Sequence, residues 1–112
     1  MPNLNLNLIT DNGRITYLSG KKKGLAAREI LGLDALDKSA DVVVINIPDN
    51  FDCNESFLGG LFSNSISVFQ SRVKFLEKYS FESLPEALEE RLNNVITATL
   101  SEGTGLSILN KP

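Results

Sequence analysis

The chain has 112 residues, enough for one domain that buries roughly two-thirds of its unfolded surface and too few for a deep cleft between domains. Its 42% hydrophobic and 22% charged residues exclude an extended disordered chain. The net charge of -3 comes without a basic stripe, which argues against nucleic acid; one cysteine and no histidine exclude an internal disulfide and remove the usual zinc or iron ligands.

Only carboxylates are left for a hard cation, and neither a signal peptide nor an apolar run of about 18 residues is visible. The expectation is a single domain over residues 1–112 in a reducing, cytoplasmic setting, with no cofactor, no metal and no membrane contact. Leu4, Leu6 and Leu8 alternate with Asn3, Asn5 and Asn7, the period of a strand buried on one face. Asn12-Gly13 predicts a tight turn and residues 14–18 a return strand, together an N-terminal β-hairpin.

Beyond Gly20 the spacing of Leu25, Ala26, Ile30, Leu31, Leu33 and Leu36 predicts a first helix. Gly32 inside it costs about 1 kcal/mol relative to Ala, so the helix is expected to bend or break there. Residues 42–47, VVVINI, are a β-branched run suited to the centre of a sheet. A loop then ends near Asp52 to Glu55, and Leu58, Leu61, Phe62, Ser65, Ile66 and Phe69 form the stripe of a second helix. Gly59 and Gly60 allow that helix to approach another backbone closely.

Residues 72–79, RVKFLEKY, read as a strand with Val73 and Phe75 inward. Ser83-Leu84-Pro85-Glu86 has capping-box spacing, and Leu84, Leu88, Leu92, Val95 and Ile96 give a third helix its apolar face. GLSIL at 105–109 reads as a short final strand. The order of elements predicts an α/β fold: an N-terminal β-hairpin and a mixed four- to five-stranded sheet covered by about three helices, with right-handed crossovers.

Chemistry-bearing residues are few. SGKKKG at 19–24 lacks the spacing of a phosphate loop. Asp49, Asp52 and Glu55 cluster before the second helix, where a cation site competes with a simpler role: acids are favoured at a helix N-terminus, and Asp52 with Glu55 has capping-box-like spacing. Cys53 has no histidine to activate it and reads as a small packed residue. Serines 63, 65, 67 and 71 read as filling a polar helix face.

The segment from Val43 to Phe62, VVINIPDNFDCNESFLGGLF, resembles the strand, loop and helix of the STAS domain family, which includes anti-sigma-factor antagonists. In that family an Asp-Ser-Ser-Gly-Leu-Gly motif opens the helix. Here Asn54 stands for the Asp, Glu55 for the first Ser, which is phosphorylated in the antagonists, and Ser56 for the second. Phe57 replaces the Gly, and Leu58 and Gly59 match as they stand. The Ser-Phe-Leu form, with the helix start at Gly24 to Glu29, resembles a divergent STAS-like branch.

The resemblance implies a non-enzymatic STAS-like protein-interaction module, regulatory in the partner-switching manner of anti-sigma-factor antagonists. Its partner would be a kinase-like ATPase or an anti-sigma factor, bound through Asp52, Asn54, Glu55, Ser56 and Gly59. Glu55 cannot accept phosphate but places a permanent negative charge near the same point. Either Ser56 or another serine is then the phosphorylation site, or the domain docks in one fixed state, the favoured reading. The alternative is a small-ligand or anion-sensing STAS-like domain, which an apolar cavity beneath the second helix would support.

Overall fold

The β-branched run beginning at Val42 supplies the middle of a sheet, because alternate residues Val43 and Ile45 bury completely. The computed structural model describes residues 3–12, 14–48, 50–82 and 84–105, the last four as backbone. In it, β3 (Val43–Asn46) lies between β1 (Asn3–Asn5) and β5 (Tyr79–Glu82), and both pairings are parallel. Leu4 sits opposite Ile45, and Ile45 opposite Phe81, so apolar side chains line up across the sheet. A separate parallel pair joins β2 (Tyr17–Leu18) to β4 (Asp52–Cys53), through Asp52 N–H to the Thr16 carbonyl at 2.8 Å and Asn54 N–H to the Leu18 carbonyl at 3.4 Å.

The fold is thus α/β, but among the described residues the sheets are small and parallel rather than one mixed sheet, and β1 and β2 do not pair as a hairpin. β1 stops at Asn5 because the Asn5 side chain accepts a hydrogen bond from Asn7 N–H at 2.8 Å and opens a single 3-10 turn over Leu6–Leu8. Leu6 is buried, while Leu8 points outward. Asp11 and Asn12 do adopt positive φ, 53° and 58°, as a turn requires. The chain leaving that turn pairs with β4 instead of returning along β1. Gly13, the other half of the expected turn, lies outside the described residues.

The second correction concerns residues 72–79. They form α4 (Arg72–Lys78), with only Tyr79 belonging to the strand. Gln70 closes the preceding helix with φ 55°, and the Ser71 side chain caps α4 by accepting from Lys74 N–H at 3.3 Å. In this helix Phe75 and Lys78 turn inward and Val73 outward. The Lys78 ammonium donates to the Ser39 carbonyl at 2.7 Å and to the Asp41 carbonyl, tying down the chain that enters β3.

Five α-helices among the described residues cover the sheets, against about three expected. α1 (Lys21–Leu31) breaks at Gly32 as anticipated: Gly32 has φ 70°, its N–H bonds the Arg28 and Glu29 carbonyls, and α2 (Leu33–Lys38) begins at once. Of the anticipated stripe, Leu31 and Leu33 are buried, but the rest of the α1 face differs. Gly24, Ala27, Arg28 and Leu31 point inward, whereas Leu25 and Ile30 are exposed.

α3 (Glu55–Phe69) buries the expected stripe of Leu58, Leu61, Phe62, Ser65 and Ile66, with Phe69 half-buried at its end. α5 (Glu86–Gly105) packs against it through Leu88, Leu92, Val95 and Ile96, also as expected. Ser83 of the proposed capping box and residues 106–109 of the proposed final strand lie outside the described residues. Phe62 anchors the core, with ring centroids 5.8 Å from Phe75 and 5.5 Å from Phe81 in edge-on geometry. Each such pair contributes about 0.5–1.5 kcal/mol beyond the area it buries.

The α1–α3 crossing depends on glycine. A β-carbon on Gly24 would lie 2.2 Å from the Phe57 carbonyl oxygen, and one on Gly60 2.3 Å from the Lys21 carbonyl oxygen. The anticipated close approach is therefore made by Gly60. Gly59 has space, with only Ser63 Oγ at 3.6 Å.

Candidate functional site

Asp52, Asn54, Glu55 and Ser56 meet where β4 runs into α3, and each has a different occupation. Asn54 is the cap: its Oδ1 accepts from Phe57 N–H at 2.9 Å, the standard way to satisfy a donor left open by the first helical turn. The same oxygen accepts from Gly20 N–H at 3.2 Å, so one side chain fixes the start of α3 and the entry to α1. The capping-box-like pairing anticipated for Asp52 and Glu55 does not form.

Asp52 instead accepts from its neighbour's amide, Cys53 N–H, at 2.8 Å and pairs with Arg91 of α5. Arg91 also donates to the Cys53 carbonyl at 3.2 Å. Glu55, one turn along the same seam, accepts from Asn94 Nδ2 at 2.9 Å. Two residues of α5 thus hold two of the site carboxylates. Nothing in the sequence spacing pointed to Arg91 or Asn94, which lie 39 residues from their partners.

Ser56 is exposed in the first turn of α3. Gly59 is half-buried one turn further on. Cys53 is fully buried beside this edge, and burial, reinforced by the Asp52 carboxylate and partly offset by Arg91, pushes its thiol pKa up to about 12. Such a thiol stays protonated at neutral pH and is a poor nucleophile. Asp49 of the suggested cation cluster lies outside the described residues. Among the described residues no group of three or more histidine, cysteine or acidic side chains could hold a metal ion.

A second polar constellation, unforeseen from the sequence, lies in the interior. The Arg28 guanidinium, almost wholly buried, donates to Ser65 Oγ at 2.8 Å, the Leu61 carbonyl at 3.0 Å, Asp37 at 2.6 Å and Asp34 at 2.9 Å. Ser65 donates in turn to Asp37 at 2.8 Å, and the Tyr79 hydroxyl also donates to Asp37. Burial first, then the hydrogen bond to Asp37, raises the Tyr79 pKa above its usual value. Every charge here has a partner, as a buried ion pair requires. The network joins α1, α2, α3 and β5.

The serines expected on a polar face divide among several roles. Ser65 belongs to this network, Ser71 caps α4, and Ser63 meets Thr99 of α5 at 3.3 Å. The space beneath α3, lined by Cys53, Phe57, Leu61, Phe62, Leu88 and Leu92 among others, amounts to about 20 Å³. That is room for about one water, with no polar side chain to hold it.

No family model matches the sequence, no curated protein matches it, and no solved structure matches its fold. No helix among the described residues is long and apolar enough to cross a membrane.

Proposed function

We propose that this chain is a STAS-like, non-enzymatic protein-interaction module that docks a partner through the N-terminal edge of α3 in one fixed state. The observation that carries this reading is the contrast at that edge. Ser56 is exposed, whereas Asp52, Asn54 and Glu55 around it are each engaged by another element. A surface whose polar groups are already ordered loses little conformational entropy on binding, which suits a constitutive docking site. The resemblance of Val43–Phe62 to the STAS strand, loop and helix supports the same reading, with a kinase-like ATPase or an anti-sigma factor as the partner class.

A second reading, with Ser56 as phosphate acceptor, is favoured by its exposure at a helix N-terminus, where added negative charge is stabilised. Affinity capture with the wild-type chain and with Ser56→Arg and Glu55→Arg, followed by intact-mass analysis after incubation with ATP and the captured partner, tests both. Loss of the partner in both folded variants with no phosphate added supports the fixed dock. A gain of one phosphate abolished by Ser56→Ala supports the switch. Unchanged capture by both variants would show that the docking edge is elsewhere.

A further inference from the structure

One concave surface lies beside the α1–α3 crossing, reaching Ala27 of α1 and Phe57 of α3. It is an open groove of about 420 Å³ between α1 and the chain running from Leu8 to Leu18. Leu18, Ala27 and Phe57, all buried, form its floor, and Leu8, Ile15 and Ile30 stand along its rims at 65%, 40% and 64% exposure. Large aliphatic side chains this exposed on both sides of one groove are the mark of an interaction surface rather than of ordinary surface scatter.

The charge beside the groove is unbalanced. Lys23 lines it, and Lys21 and Lys22 precede it in the first turn of α1, all exposed and with no ion-pair partner among the described residues. That turn contains no acidic residue, and its cap position, Gly20, has no side chain to accept from the helix amides. Cations at the positive end of a helix dipole are unfavourable. Asp11, the one acid lining the groove, is already paired with Arg14 at 3.8 Å.

We propose that this groove docks an acidic, aliphatic peptide segment of a protein partner, with aliphatic side chains seated between Leu8, Ile15 and Ile30 and a carboxylate facing Lys23. A bound carboxylate pairs with Lys23 and complements the helix dipole, while the aliphatic residues cover the exposed rims. An anionic membrane fits less well. The floor, of buried Leu18, Ala27 and Phe57, is recessed rather than protruding, which suits an inserted segment better than a flat bilayer surface. The inference stands independently of the STAS-like reading, since it uses none of the residues matched to that motif except the floor residue Phe57.

The test is selection of random displayed peptides on the full chain, with counter-selection on Ile30→Asp. The expected consensus pairs aliphatic residues at i and i+3 or i+4 with Asp or Glu. A synthetic peptide of that sequence should bind the wild type at least about tenfold more tightly than folded Ile30→Asp or Lys23→Glu, and more weakly as salt is raised. Failure to enrich any sequence that separates wild type from variant, a consensus without acids, or affinity indifferent to Lys23→Glu would each overturn the proposal. So would two other outcomes: binding to vesicles containing phosphatidylglycerol that both variants lose, which assigns the groove to a membrane, or self-association abolished by Ile30→Asp, which assigns it to a second copy. Ser56→Arg should leave peptide binding unchanged, which separates failure here from failure at the α3 edge.

Discussion

Gly24 and Gly60 face each other across the α1–α3 crossing, with each glycine's Cα lying about where the other's β-carbon would need space. The contact is backbone against backbone, so no side-chain rotation can relieve an added methyl group. Gly60→Ala should destabilise the fold by about 1–3 kcal/mol or more. Gly59→Ala, one position away and with open space, should instead stabilise it by up to about 1 kcal/mol through helix propensity. Urea denaturation of the two variants reads the difference directly, and midpoints shifted in the same direction would contradict the crossing geometry.

Arg28 ties α1 to α2 and α3, and removing it strands the Asp37 carboxylate in the interior. Arg28→Ala should cost about 3–5 kcal/mol, the range for breaking a buried ion pair. Asp34→Ala should cost less than about 1 kcal/mol, because the Asp34 side chain is 83% exposed. Combining Arg28→Met with Asp37→Asn should be milder than Arg28→Met alone, since an amide in place of the carboxylate leaves no unpaired charge. A double-mutant cycle on denaturation free energies checks the order.

Alkaline pH should weaken the fold through Cys53. In the unfolded chain the thiol ionises near its ordinary value of about 9.0, whereas in the folded chain it does so at about 12. Between those values the unfolded state holds fewer protons, so the contribution is fully present below pH 9.0 and is lost as pH rises toward 12. Tyr79, raised for the same primary reason of burial, acts in the same direction above its own ordinary value of about 10.0. Cys53→Ala should flatten the first part of this decline in urea titrations across the alkaline range. The native thiol should also react with a disulfide reagent only as fast as the fold opens.

Asn54→Ala should cost about 0.5–2 kcal/mol as a lost cap. The distinctive signature is spatial: in hydrogen exchange the amides of Phe57 and Gly20 should lose protection together, because both donate to Asn54 Oδ1. Loss at Phe57 alone would mean that Asn54 caps α3 without holding the α1 entry.

Long stripes were readable from the chain, and short elements were not. The apolar spacing of Leu58 to Ile66 and of Leu88 to Ile96 set α3 and α5, and the β-branched run set β3, because burial of those faces dominates their local energetics. RVKFLEK misled because Val73 and Phe75 imitate a two-residue period, while the Ser71 cap and the helix-favouring residues after it decide the outcome. Leu4, Leu6 and Leu8 misled because the Asn5 side chain diverts the chain after three residues of strand.

At the candidate site, Asn54 and Ser56 stand at the start of α3, but their neighbours' partners on α5 were invisible. The Arg28 network was hidden for the same reason, with Ser65 lying 37 residues away. The one available signal was Arg28 itself, on the stripe that also holds Gly24, Ala27 and Leu31.

Phe57 belongs to both surfaces of interest. Its N–H is the one Asn54 caps, its carbonyl abuts Gly24, and its ring forms part of the groove floor. The α3 edge and the groove are therefore both built on one buried residue. Should a partner at the edge and an occupant of the groove each displace it, whatever factor the first imposes on the affinity of the second must be returned unchanged, and two separately measured binding events would become a single thermodynamic cycle.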